Sequence, residues 1–237
     1  MTTDYLERGA VAGVAGGLVY GLFIATVGNA FTAGLETFEH GHSHGGGPAV
    51  SELTTTVVSI GGGVLWGLLF GVAAFGMAYF FLEPAIPGSG ATKRLALAGA
   101  GFLTVSGAPW LVLPPQPPGV EQALGTETRL AWYAGLMALG ALVAVLAGLA
   151  YQWTEHRHTA VRLGATALPL ALLAAPVALA PANPVHGDVP AALVAAYRWT
   201  VVFGQLVLWA TIAGVHAWLG DRETPATDSL DYSATAD

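Results

Sequence analysis

Three histidines, His40, His42 and His44, alternate within FEHGHSHGGGP at residues 38–48, and Glu36 and Glu39 stand immediately upstream or at its start. Neutral imidazole and carboxylate suit borderline divalent ions such as cobalt, nickel and zinc, so these residue types have the chemistry of a cation collector. If a helix continues past Phe31, Glu36, Glu39 and His40 fall at i, i+3 and i+4 on one of its faces. The following HGHSH differs, because interleaved glycine and serine impose no fixed geometry; it reads as a flexible tether. A polar, glycine-rich loop between apolar segments is also an ordinary connector, and a histidine-rich tract is compositional evidence only.

Two further stretches carry candidate groups. Four prolines fall within residues 114–118, flanking Gln116, and LAPANPVHGDVPAAL at 179–193 sets His186 and Asp188 between prolines. Proline locks φ and removes a backbone donor, so both stretches hold the chain in stiff, extended paths. The remaining histidines, His156 and His158 in QWTEHRHTA and His216 near the end of an apolar run, read as interfacial anchors and solvated loop polarity.

The elements that must position these groups follow from composition. Of 237 residues, 54% are hydrophobic and 10% charged, a balance that excludes an ordinary water-soluble domain. A helix needs roughly 20 apolar residues to cross about 30 Å of hydrocarbon. Six stretches qualify, at about 9–31, 56–82, 94–113, 130–152, 161–181 and 191–219. The expected fold is therefore an all-α integral membrane protein, a bundle of about six transmembrane helices over residues 1–220, with an acidic, disordered cytoplasmic tail at 221–237. The first stretch is too long for a signal-peptide core and lacks a basic flank.

With both termini on one side, the basic residues divide unequally. Arg8, Lys93, Arg94, Arg157, Arg162 and Arg222 fall on the terminal side and only Arg129 and Arg198 on the other, which by the positive-inside rule makes the termini cytoplasmic. Loops 32–55, 114–129 and 182–190 are then extracellular, and they carry Glu36, Glu39, His40, His42, His44, Glu52, Glu121, Glu127, His186 and Asp188. Packing signals lie in the first two spans, where Gly9, Gly13, Gly17 and Gly21, and then Gly63, Gly67 and Gly71, repeat every four residues. Such rows let helix backbones approach closely in lipid. Pro109, Pro169 and Pro176 fall inside apolar spans, where each removes a helical hydrogen bond.

Several classes are excluded. The chain has no cysteine, so a metal must be held by nitrogen or oxygen. A net charge of -7 and a single lysine argue against nucleic acid as a partner. GSGATKR at 88–94 lacks the spacing of a phosphate loop and reads as a turn. Neither a nucleophile elbow nor a paired-carboxylate site occurs, so an enzyme is not expected.

The LETFE segment at 35–39, PPQPPG at 114–119, the TRLAWY entry into an aromatic-bearing helix and the Pro-His loop PVHGDVPAAL together resemble the CbtA family of predicted cobalt transporter subunits, over most of residues 8–219. The resemblance implies a membrane subunit of a cobalt uptake system linked to cobalamin supply, and a partner, a small CbtB-type subunit with one membrane helix. It matches Glu36, Glu39 and His186 to family positions, while Gln116 departs from an acidic residue common there and HGHSH is an elaboration of this chain. The expected function is capture of a divalent cation, cobalt before nickel or zinc, at an outer site of Glu36, Glu39, His40, His42, His44 and His186, and its passage inward. No resident cofactor is expected, and oligomerisation is left open. The alternative is a membrane scaffold or metal-sensing module that does not transport. Against autonomous transport stands the scarcity of ionisable groups within the spans, which ion paths ordinarily contain.

Overall fold

A computed structural model describes residues 2–39, 51–117, 120–186 and 189–222. Helix α1, Thr2–Phe23, passes through a π-helical stretch at Ile24–Gly28 into α2, Asn29–Glu39. Helix α3, Glu52–Phe70, starts on Ser51, whose hydroxyl accepts the Thr54 N–H, and continues through a π-helical Gly71–Ala78 into α4, Tyr79–Leu82. After a turn in which Gly88 and Gly90 take positive φ, α5, Gly90–Phe102, runs through a third π-helical stretch, Leu103–Gly107, into α6, Ala108–Trp110. Then follow α7, Thr126–Trp153; α8, Thr159–Ala167; a 3-10 stretch at Leu168–Leu173 around Pro169; α9, Ala174–Leu179; and α10, Ala191–Arg222.

Among the described residues, five helices are long and apolar enough to cross a membrane: Thr3–Leu35, Glu52–Ala85, Thr126–Trp153, Thr159–Leu179 and Ala191–Arg222. The stretch expected at 94–113 is not one of the five. Its first part, α5, nevertheless lies antiparallel to α10, with Arg94 against Gly220 and Gly101 against Trp209, while the π-helical stretch and α6 pack on α7. The first span is longer than its apolar run implied, because α2 stays helical through Glu39.

Lipid gives apolar side chains no reason to leave it, so helix association rests on close packing. The glycine rows of α1 and α3 face each other in antiparallel register, Gly9 with Gly71, Gly13 with Gly67 and Gly17 with Gly63. A Cβ on Gly17 would sit 2.5 Å from the Gly63 carbonyl oxygen, so no larger residue fits without parting the backbones. On its other side α1 meets α10, Gly16 against Ile212 and Phe23 against Gly204. Phe75, Tyr79, Leu208, Trp209 and Ile212 fill the main core, and a smaller cluster of Ala108, Val143 and Leu173 joins α6, α7 and the 3-10 stretch. The periphery is apolar, as for Leu65, Phe81, Leu179 and Trp199.

The π-helical stretches displace backbone carbonyls from the ordinary ladder, and such groups in a low-dielectric setting need other donors. Tyr133 OH donates to the Val105 carbonyl at 2.6 Å and Thr26 Oγ1 to the Leu22 carbonyl at 2.8 Å. Thr2 and Arg222 lie at one end of the bundle, where Arg8 stands beside Gly220 and Tyr5 reaches Glu83. We call this the terminal end; the proline-rich loops form the loop end.

Candidate functional site

At the loop end, two segments distant in sequence are joined by a short antiparallel ladder. Strand β1, Glu121–Gln122, pairs with β2, Val185–His186, setting Glu121 across from His186 and Gln122 across from Val185. The Ala123 N–H extends the ladder to the Pro184 carbonyl at 3.1 Å. Asn183 ties both sides: its Nδ2 donates to Gln122 Oε1 at 3.0 Å, and its Oδ1 accepts the Leu124 N–H at 3.1 Å. The PPQPPG path is clamped from α10, because Arg198 Nη2 donates to Gln116 Oε1 at 2.9 Å and its Nε to the Pro115 carbonyl at 3.3 Å. Prolines leave carbonyls free as acceptors without offering donors, which explains why an arginine serves them.

The backbone register places Glu121 and His186 at directly opposed positions of the ladder. Glu36 and Glu39 lie three residues apart on α2, which continues past Phe31 as a shared face requires. The Phe31 and Tyr197 rings meet tilted at 6.1 Å, which brings α2 against α10 beside Arg198. His40, His42 and His44 lie outside the described residues, as do Asp188 and the tail beyond Arg222. Among the described residues, no three His, Asp or Glu groups gather closely enough to hold a metal ion.

The terminal end holds a second polar cluster that the sequence reading did not assemble. Tyr5 OH donates to Glu83 Oε2 at 2.7 Å, Tyr79 OH to Oε1 at 3.5 Å, and Lys93 Nζ to the Glu83 backbone carbonyl at 2.9 Å. Arg94 is 8% exposed and reaches Asp221 at 3.7 Å, an ion pair too long for a hydrogen bond. Its Nε and Nη1 have no hydrogen-bond partner among the described residues. The guanidinium carbon stands 5.8 Å from the centre of the Tyr79 ring.

His216 corrects an expectation. Read as an interfacial anchor, it is 0% exposed, between Phe75 at 5.5 Å and the edge of Tyr79 at 5.2 Å. Neither ring nitrogen has a hydrogen-bond partner among the described residues. His156 and His158 are exposed, as expected for loop residues. Ionisable groups remain few within the spans, but Glu83, Arg94 and His216, far apart in sequence, converge between α1, α4, α5 and α10. The signal available in sequence was a glutamate, an arginine and a histidine each placed inside or at the end of an apolar run; their meeting was not.

A family model described as probable cobalt transporter subunit (CbtA) matches residues 2–221, and neither the curated proteins nor the solved structures give a match.

Proposed function

The chain belongs to the CbtA family, and from that premise we propose that it captures a divalent transition metal, cobalt foremost, at the loop end and passes it through the bundle. The observation that carries this reading is the β1–β2 ladder with its Arg198 clamp, which holds the His186 and PPQPPG loops together. Rigid support is what a capture site on loops requires, since ligands must be held before the ion arrives. Glu36, Glu39, His40 and His186 form the outer site in this reading, with Glu121 added by its place opposite His186. His42 and His44 gather cations without fixed geometry.

Six crossings with cytoplasmic termini accord with α5 lying antiparallel to α10, and with Arg8, Lys93, Arg94 and Arg222 at one end against Arg198 at the other. The loop end then faces outward. A small single-helix subunit of CbtB type completes the system and links it to cobalamin supply.

Uptake of labelled cobalt by cells with and without the chain and its partner tests the proposal. A Glu36→Gln, Glu39→Gln, His186→Ala triple variant at normal membrane abundance is expected to abolish uptake; unchanged uptake removes these residues from the mechanism. A chain that binds cobalt but changes no uptake is a sensor or scaffold. Ligand imidazole must be neutral and free histidine titrates near about 6.5, so capture is present above that pH and is lost as pH falls through it. Binding that stays flat from about pH 8 to 5 contradicts histidine ligation.

A further inference from the structure

We infer that His216 is a transit ligand for the transported divalent cation on the terminal-end half of its path, occluded in this conformation by Arg94. The inference rests on the transport reading above and adds an intramembrane binding site to it.

The geometry begins on α10. Arg198, Gln205, Trp209 and His216 are spaced 7, 4 and 7 residues apart. At 3.6 residues per turn, this spacing keeps them within about 40° of one line along the helix. Arg198 meets the loop-end clamp, and Gln205 Nε2 donates to Tyr20 OH at 3.5 Å. Trp209 is 3% exposed with an unpartnered Nε1, and His216 is fully buried with two unpartnered nitrogens. A polar stripe thus descends the central helix from the loop end and finishes on an imidazole. Beyond it, Tyr79 touches the His216 ring on one side and Glu83 on the other, leading toward the terminal surface.

A fully buried imidazole without a hydrogen bond is poorly accounted for by packing, since a phenylalanine fills such a space with no orphaned polar atoms. Its free nitrogens are the atoms a borderline divalent ion selects. The opposing wall is the π-helical Gly71–Ala78, with Phe75 lying 6.4 Å from Trp209 and 5.5 Å from His216. Helical irregularities of this kind recur at functional sites. One imidazole, with the Glu83 carboxylate a tyrosine away, binds weakly, as conduction demands, because a passing ion must also leave.

Arg94 sets the state. Its guanidinium is buried beside Tyr79 and makes a long ion pair with Asp221, whose side chain is 70% exposed. A fixed positive charge next to the imidazole repels a dication, and positive groups exclude cations from pores in this way. Withdrawal of Arg94 toward Asp221 opens the site.

The absence of cysteine from the chain supplies the test. Cobalt(II) bound to a thiolate absorbs in the near ultraviolet by charge transfer, which its aqueous, imidazole and carboxylate complexes do not. Purified full-length His216→Cys and His216→Cys/Arg94→Gln are titrated with cobalt chloride, alongside Leu206→Cys on the exposed side of α10. A saturable band is expected in the double variant, a weaker one in the single variant and none in Leu206→Cys. In cells, His216→Phe at equal membrane abundance is expected to lower labelled-cobalt uptake by about tenfold or more, with His216→Cys retaining part of it. Absence of the band in the double variant at saturating cobalt overturns the inference, as does wild-type uptake in His216→Phe. Should the phenylalanine variant fail to fold, the absorption arm decides. Should the wild-type chain give no uptake, transport fails as a reading while the band still reports whether cobalt reaches position 216.

Discussion

The two ends of the bundle hold polar groups by opposite means. At the loop end, Gln122, Asn183, Gln116 and Arg198 meet backbone or amide partners at 2.9–3.3 Å across three separate segments. At the terminal end, Arg94 and His216 are more deeply buried and less well partnered. Hydrogen bonds to a charged donor are among the stronger contributions to stability, whereas a buried charge with poor compensation contributes little or opposes folding. The first arrangement fixes loops in place; the second leaves groups whose interactions are incomplete until something moves or binds.

The largest expected effect lies in the glycine seam that both ends share. Gly67→Leu forces α1 and α3 apart, since the Gly67 position looks onto the Gly13 carbonyl and the Gly17 backbone. It should cost about 3 kcal/mol, read as a lower thermal midpoint in detergent together with early elution on size exclusion. A wild-type midpoint would mean that the seam is not what holds the two ends in register.

The same substitution made at each end separates the two arrangements. Arg198→Met removes hydrogen bonds to Pro115 and Gln116 and should destabilise by about 2 kcal/mol. Arg94→Met removes a poorly compensated buried charge and should leave the midpoint unchanged or raise it. Equal losses at both positions would erase the distinction between the ends.

Smaller effects probe the ladder. A double-mutant cycle of Gln122→Ala and Asn183→Ala should show a coupling of about 1 kcal/mol, because their side chains bond directly. Additive losses would show that the loops are held elsewhere. Glu121→Gln should shift stability by less than about 0.5 kcal/mol, since Glu121 is exposed and its backbone pairing is untouched. A larger shift in cobalt-free buffer would give Glu121 a structural part in place of a ligand's.

Several features were legible in the residues themselves. The spacing of Gly9, Gly13, Gly17 and Gly21 against Gly63, Gly67 and Gly71 announced a close helix pair, because a four-residue repeat lines one face wherever the helix lies. The turn at GSGATKR was readable from its glycines, two of which adopt positive φ. By contrast, the third stretch, 94–113, is not among the five helices apolar enough to cross a membrane, yet its α5 part packs antiparallel to α10.

The candidate site divides in the same manner. Glu36 and Glu39 could be placed on one helical face from local periodicity, and α2 extends through both. The ladder between residues 121–122 and 185–186 could not, because a two-residue strand carries no periodicity and its register depends on how distant loops meet. His216 was misjudged for a related reason: proximity to a span's end suggests an interface, but burial depends on what packs above it. Here Phe75 and Tyr79, from another helix, close over the ring.

What the amino-acid sequence determined alone was the solvent of the protein and the local material: long apolar runs, glycine faces, proline-stiffened loops, and basic residues weighted toward one side. These follow from composition and periodicity, which act within a single helix or loop. Only the tertiary structure decided which polar groups are satisfied and which are not. The backbone of Glu121 pairs with that of His186, Arg198 meets Gln116, and Glu83, Arg94 and His216 come together because segments far apart in the chain are packed side by side. Partnership between polar groups is a property of that packing, since each partner lies on a different segment.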